Sequence, residues 1–421
     1  MTADASHKTR SLWLIGMLHG FTHLYQVALM PLYLPMKEGL NLSSTAHATF
    51  LVTVLMLAYF IPAYPMGILA DRVSRKKLLS LGLAFNGLGF IGLALAPNYL
   101  VALLSVVISG VGGSCFHPAA TALIARLFPV QTGKALGLIG MGAAAGFFVG
   151  PIYSGWRASI TGNWRSPVLE LGVLGLVGAA VFQWLADDTP TRIHRREIHA
   201  PKERMFTTST GLTLFIAAAF AFAMRDFTGS SMGSFGSLFL QNAHGFSLKE
   251  TGVALSGIFL ASVISNPLFG HLSDRGRMRW SGFVLCVAAL LVALFPHLPR
   301  GWFFVTFMAY GFFFMASYPM VEAGVMQVVH DSMRGRAFGL WITVGGLIGS
   351  LSHWFVGGWV EALGERAHTA SAYFPHYFGL GGLLLLSMLG LPCLHAIRRR
   401  EAHEQENPAT PGVEMPHPVA K

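Results

Sequence analysis

The chain has 421 residues, of which 53% are hydrophobic and only 11% charged, whereas roughly a quarter of the residues of a soluble domain carry charge. That composition excludes an ordinary soluble domain and indicates a polytopic membrane protein. The formal charge of +10 raises nucleic acid as a partner, and the positions of the basic residues decide against it.

Apolar runs long enough to cross about 30 Å of hydrocarbon as helices are predicted near 11–37, 46–69, 78–96, 99–126, 135–157, 166–186, 209–240, 250–271, 280–297, 302–329, 337–360 and 372–396, about twelve spans. With the N-terminus inside, the outer segments hold only Lys37, Arg157, Arg165, Lys249, Arg300 and Arg366, and Arg225 lies within a span. The remaining Lys and Arg residues face the cytoplasm, so basicity is an orientation signal. Both termini are expected in the cytoplasm, in a bacterial-type inner membrane, with the bilayer rather than nucleic acid as partner. The first span has no small-residue cleavage site and is expected to be retained.

In chain order, the first span carries His19, His23 and Gln26 at i, i+4 and i+7, on one helical face. After the second span comes Gly67-Ile-Leu-Ala-Asp71-Arg72-Val-Ser-Arg75-Lys76-Lys77, and in the fourth Gly112-Gly-Ser-Cys-Phe116-His117-Pro118. The fifth contains Gly142, Gly146 and Gly150, a smooth face for close helix packing, followed by Pro151, which removes one backbone hydrogen bond. Residues 187–208 form the longest internal polar segment and are expected to be a cytoplasmic linker. The seventh span carries Arg225 and Asp226, about 100° apart on a helix and so expected to face different partners. Gly270-His-Leu-Ser-Asp274-Arg275-Gly-Arg277-Met-Arg279 follows the eighth, and Tyr318 and Glu322 lie in the tenth. A lone His353 in the eleventh is expected to make a structural hydrogen bond. The Pro-rich residues 398–421 have the composition of a disordered tail.

The two Gly-x-Leu-x-Asp-Arg loops are copies of each other, and an offset of 202 superposes Gly133-Lys134-Ala135-Leu136-Gly137-Leu138 on Gly335-Arg336-Ala337-Phe338-Gly339-Leu340 and Phe116 on Tyr318. The expected fold is therefore an all-α membrane protein of twelve transmembrane helices in two parallel, pseudo-symmetric six-helix bundles, 1–186 and 209–397.

Gly67, Leu69, Asp71, Arg72, Arg75 and Lys76 match the G-x-L-a-D-R-x-G-R-[KR] loop of the major facilitator superfamily, which the chain resembles over essentially its whole membrane part; Ser74 replaces the second glycine. Gly146-Phe-Phe-Val-Gly150-Pro151-Ile-Tyr-Ser154-Gly155 looks like the G-x-x-x-G-P-x-x-G-G signature of antiporter-type exporters. His19 to Gln26 and Phe116-His117-Pro118 are similar to the H-x-x-x-D and F-H-P segments of the fosmidomycin-resistance group, with His23 at the usual aspartate position. The resemblance implies that Asp71 and Arg72, with Asp274 and Arg275 as pseudo-equivalents, act as a gating latch stabilising the outward-facing state. It also implies that helices 1, 4, 7 and 10 line a central cavity, the same four on which the costly intramembrane polar groups concentrate.

No Walker loop, nucleophile elbow or cofactor motif is present in the sequence, so an enzyme is not expected. His19 and His23 have the helical spacing of zinc ligands, with no third or fourth protein ligand evident, so no metal is expected. Cys115, Cys286 and Cys393 lie in apolar spans and match no redox motif. The chain is expected to be a monomeric secondary transporter, exporting a small organic or amphipathic compound against protons; uptake of a small organic anion is the alternative. His19, His23, Gln26, His117, Arg225, Asp226, Tyr318 and Glu322 are the expected substrate or proton sites. Gly67, Asp71, Arg72, Arg75, Asp274, Arg275, Gly146, Gly150 and Pro151 are the expected gating residues.

Overall fold

The computed structural model describes residues 3–187, 205–206, 208–273, 276–329 and 333–406. Among them every regular element is helical. In chain order the spans are α1 (Ala3–Val27), α2 (Thr45–Arg72), α3 (Arg75–Leu95), α4 (Tyr99–Leu127), α5 (Lys134–Thr161), α6 (Arg165–Leu185), α7 (Ser209–His244), α8 (Leu248–Ser273), α9 (Arg277–His297), α10 (Arg300–Gln327), α11 (Arg336–His368) and α12 (Ala370–Arg400). All but α1 are both long and apolar enough to cross a membrane. α1 has the length, but Lys8, Arg10, His19, Thr22, His23 and Gln26 dilute its apolar character.

Local chemistry sets the ends. Ser44, Ser74, Asn98 and Thr208 each accept a hydrogen bond from a backbone N–H of the helix they precede, and Ser247 with Glu250 forms a reciprocal capping box at α8. Gly162 and Gly245, with φ of 64° and 62°, end α5 and α7 in the left-handed conformation that glycine adopts without a Cβ penalty. Prolines break what the apolar pattern reads as continuous. The first predicted span, 11–37, stops as a helix at Val27, because Pro31 has no N–H for that carbonyl, and resumes at Tyr33–Gly39. α4 is interrupted at Cys115, where Pro118 leaves the Ser114 carbonyl without its helical donor.

Helix neighbours repeat under a shift of six. α1 packs on α5 as α7 packs on α11, α3 on α6 as α9 on α12, and α3 on α4 as α9 on α10. Between halves, α5 packs on α8 and α11 on α2, which are again six-shifted copies. The expected linker falls largely on residues 188–204, outside the described residues. Beyond Arg398, where a disordered tail was expected to begin, the helix Gly390–Glu406 continues.

Hydrogen bonds joining the halves cluster from mid-depth to one end. They include Tyr33 Oη to Ser234 Oγ (2.7 Å), Ser237 Oγ to the Met30 carbonyl (2.7 Å), Thr53 Oγ1 to the Ser350 carbonyl (3.0 Å), Ser256 Oγ to the Phe148 carbonyl (2.7 Å) and the Thr45 N–H to Glu361 (2.8 Å). Within the second half His353 bonds Ser234 Oγ, the partner of Tyr33, at 2.6 Å, the structural hydrogen bond expected of it. At the other end α2 past Phe60 leaves Ile61, Tyr64, Ile68 and Asp71 exposed. Among the described residues, hydrogen bonds between the halves thus seal the end bearing residues 28–44, and the end bearing residues 71–77 stands largely exposed.

Candidate functional site

α1 lies close against α5 because glycines of α5 let the two backbones approach. A Cβ on Gly142 or Gly146 would overlap the carbonyl oxygen of Gly16 or Gly20, and one on Gly150 would sit 3.0 Å from the Leu24 carbonyl. The glycine face foreseen in the sequence is therefore the bed of α1. It lets His19 Nδ1 bond the Ile139 carbonyl at 2.9 Å. One turn on, His23 bonds Gln26 Oε1 through Nδ1 (2.9 Å) and faces His19 Nε2 through Nε2 (3.0 Å). The interruption in α4 turns His117 toward the same point. Its ring lies 5.2 Å from that of His19 and 5.5 Å from that of His23. Three imidazoles, each with a ligand atom within 4.8 Å of the others, thus form one cluster. The sequence expectation that His19 and His23 lack a third protein ligand is corrected by this arrangement. The third donor comes from another helix, and linear spacing does not report convergence. His117 is exposed, so the cluster opens on the space between the halves.

Aromatic rings frame these imidazoles. His19 stacks on Phe116 at 4.7 Å, and His23 on Phe147 at 4.3 Å. Phe147 in turn stacks on Phe259 at 4.7 Å, which carries the column from α5 across to α8. Sequence reasoning passed over Phe147; its place inside the Gly146–Gly150 motif was the available signal. Tyr59, also passed over, lies edge-on to His117.

The second cluster lies in the other half. Arg225, 1% exposed, gives Nε and Nη2 to Asp226 Oδ1 at 3.1 and 2.9 Å. This corrects the expectation that adjacent residues would face different partners, because the long arginine side chain curls back along the helix to reach its neighbour. The guanidinium carbon sits 3.9 Å from the centre of the Tyr318 ring, a cation–π contact. Glu322 stands one turn beyond Tyr318 on α10 and within electrostatic reach of Arg225. Arg225 Nη1 is buried with no protein acceptor. The Asp226 carboxylate packs where a Cβ on Gly345 would stand, so a glycine of α11 makes room for the charge. The repeat offset of 202 sets His23 on Arg225 as it sets Phe116 on Tyr318. One equivalent position therefore carries an imidazole in the first half and a guanidinium in the second, and another carries a phenyl ring in the first and a phenol in the second.

Of the gating candidates, Asp71 is 78% exposed and only loosely paired with Arg75, at 3.9 Å. Arg75 also reaches the Ala122 carbonyl at 3.5 Å, and Gly67 packs beside Pro118. Arg72 ends the same helix, its side chain exposed. Pro151 lies at the contact between halves, its carbonyl where a Cβ on Gly252 of α8 would fall. Asp274 and Arg275 lie outside the described residues.

Comparison with known proteins agrees with this architecture. The family model described as Major Facilitator Superfamily matches residues 12–353. The chain is 24% identical over 362 residues to multidrug resistance protein 2 of Bacillus subtilis (strain 168), covering 84% of this chain and 87% of that one. It is 24% identical over 287 residues to quinolone resistance protein NorA of Staphylococcus aureus (strain Mu50 / ATCC 700699), covering 64% and 69%. Among solved structures, a bacterial homolog of the human lysosomal transporter Spinster, in an inward-facing and unoccupied conformation, superposes with a TM-score of 0.74 at 16% identity, over 94% of this chain and 98% of that one. A peptide transporter, crystallised with sulfate, gives 0.72 at 14% identity over 92% and 94%. With the family model spanning most of the membrane part and the two halves related by a six-helix shift, the chain belongs to the Major Facilitator Superfamily of membrane transporters.

Proposed function

We propose that the chain works by alternating access as a proton-coupled exporter of a small organic or amphipathic compound, acting as a monomer in a bacterial-type inner membrane with both termini cytoplasmic. One observation carries the reading. Two groups of titratable side chains, His19, His23 and His117 in one half and Arg225, Asp226 and Glu322 in the other, occupy corresponding helices of two halves whose mutual hydrogen bonds, among the described residues, gather toward one end. Ionisable groups are costly within a bilayer, so their pairing across a pathway favours a role in binding and coupling over packing. The resistance names of the relatives in B. subtilis and S. aureus support export. Phe116-His117-Pro118 keeps the likeness to the fosmidomycin-resistance group within this proposal. The basic residues of 72–77 and 398–400 support an orientation with the exposed end toward the cytoplasm.

In this mechanism substrate and proton compete. A proton taken up by Glu322 or an imidazole from the outer side releases substrate, and its loss to the inner side restores the binding state. Purified protein in liposomes should accumulate or release substrate in response to an imposed pH gradient, and Glu322→Gln should flatten that dependence. Transport indifferent to the gradient would refute the coupling, and an unchanged profile in the variant would leave Glu322 structural. The buried Arg225 Nη1, lacking a protein acceptor, favours one second reading, uptake of a small organic anion whose carboxylate or phosphonate bonds that nitrogen. The direction of counterflow separates the two.

A further inference from the structure

In the first cluster the hydrogen bonds of two neutral rings leave one nitrogen–nitrogen contact without a hydrogen. His19 Nδ1 faces the Ile139 carbonyl and His23 Nδ1 faces Gln26 Oε1, both at 2.9 Å. With the Gln26 amide oxygen turned to His23, both acceptors take a hydrogen from Nδ1, and in the neutral rings Nε2 then presents a lone pair. The two Nε2 atoms then face each other at 3.0 Å. Two lone pairs at that distance repel, and the contact turns favourable when a cation occupies the space they border. His117 supplies a third nitrogen within 4.8 Å, from a different helix and from the open side.

This is also how metal-bound histidines are held, with the second ring nitrogen donating to a carbonyl or similar acceptor that fixes tautomer and orientation. A tetrahedral ion with bonds of roughly 2.0–2.1 Å keeps its nitrogens about 3.4 Å apart, so His19 and His23 need part only slightly. Imidazole donors suit zinc, copper, nickel and cobalt, whereas magnesium and calcium take oxygen ligands. Three ligands with a further position facing the cavity leave room for exchange, unlike the closed four-ligand set of a structural zinc site.

We propose that His19, His23 and His117 bind one divalent late first-row transition-metal ion, with Gln26 as a positioning residue that holds His23 in its metal-binding tautomer. The ion enters either free or as the exposed metal of a chelate, from the space between the halves. Its route depends on the transport reading above, whereas its binding does not.

The test uses the full chain purified without a polyhistidine tag, stripped of metal, and titrated with Co2+ while visible absorption is recorded. The expected result is one equivalent of Co2+ with the intense d–d bands of four- or five-coordinate nitrogen ligation. His117→Asn should weaken binding by at least the ~10-fold typical of losing a lesser, outer-shell partner, and Gln26→Ala by roughly 10-fold. His117→Cys should restore binding and add a thiolate-to-cobalt band in the near ultraviolet, which a merely structural role for the residue would not produce. Adding citrate separates the sources. A spectrum unchanged by citrate indicates the free ion, and one shifted with retained stoichiometry indicates the chelate. A wild-type spectrum no different from aqueous Co2+, or equal titration of wild type and a folded His117→Asn, overturns the proposal in favour of a proton shared between His19 and His23. If His117→Asn does not fold, the wild-type spectrum alone decides. Metal binding without solute transport in liposomes would remove the transport reading and leave the site; transport without metal binding would do the reverse.

Discussion

Arg225 gives two nitrogens to one oxygen of Asp226, spreads its guanidinium over Tyr318 and is almost wholly buried. Neutralising the carboxylate would take away the cation's hydrogen-bonded counter-charge and leave only the more distant Glu322, and removing one partner of a buried pair costs up to roughly 3–5 kcal/mol. Asp226→Asn should therefore lower the unfolding temperature of the purified protein measurably, and Arg225→Lys, which keeps the charge but loses the planar fork, should also destabilise it. Unfolding of Asp226→Asn at the wild-type temperature would show that the pair contributes little. At this scale the sequence was partly readable. It named every polar member of both clusters, because an ionisable residue in an apolar span stands out by composition. It missed the Arg225–Asp226 bond and the closeness of His117 to His19, because side-chain reach and contacts between helices are not functions of spacing along one helix.

The helices are shaped by glycine and proline in opposite ways. Gly142 and Gly146 remove the side chains that would separate α5 from α1, and a Cβ at either would overlap an α1 carbonyl. Gly137, on the same helix, has open space where its Cβ would be. Gly146→Ala is expected to destabilise by about 1–3 kcal/mol through overpacking and to displace His19 from the Ile139 carbonyl, whereas Gly137→Ala should be nearly neutral. Thermal unfolding of the two variants side by side checks this, and equal stability would contradict the close backbone contact. The glycine spacing was legible as a smooth face, but its partner was not. Pro31 and Pro118 show the converse limit. Each interrupts a stretch that hydropathy reads as one span, and the interruption at Cys115 is what aims His117 at α1.

In the whole molecule, the seal from Tyr33–Ser234 to Thr53–Ser350 and the exposed Asp71 belong to one conformation. A side chain that is solvated here and latched in the opposite conformation biases only the opposite one. On the proposal that Asp71 latches the outward-facing state, Asp71→Asn is expected to leave thermal stability and substrate affinity in this conformation close to wild type while lowering turnover. Binding and transport measured on the same preparation test this, and normal turnover by the correctly inserted fraction would remove Asp71 from the gate.

The sequence by itself determined the helical class, the number of spans, the duplicated halves and the residue types gathered on α1, α4, α7 and α10. These follow from local quantities, since the hydrocarbon thickness fixes the length of an apolar run and a gene-level repeat survives as a constant offset. Only the tertiary structure decided that three histidines share one point, that Asp226 neutralises its own neighbour and that the halves close at one end. Those outcomes depend on distances between helices, which the backbone contacts at Gly16 and Gly20 and the room that Gly345 leaves for the Asp226 carboxylate fix to within a side chain's width and which no periodicity along a single strand of sequence encodes.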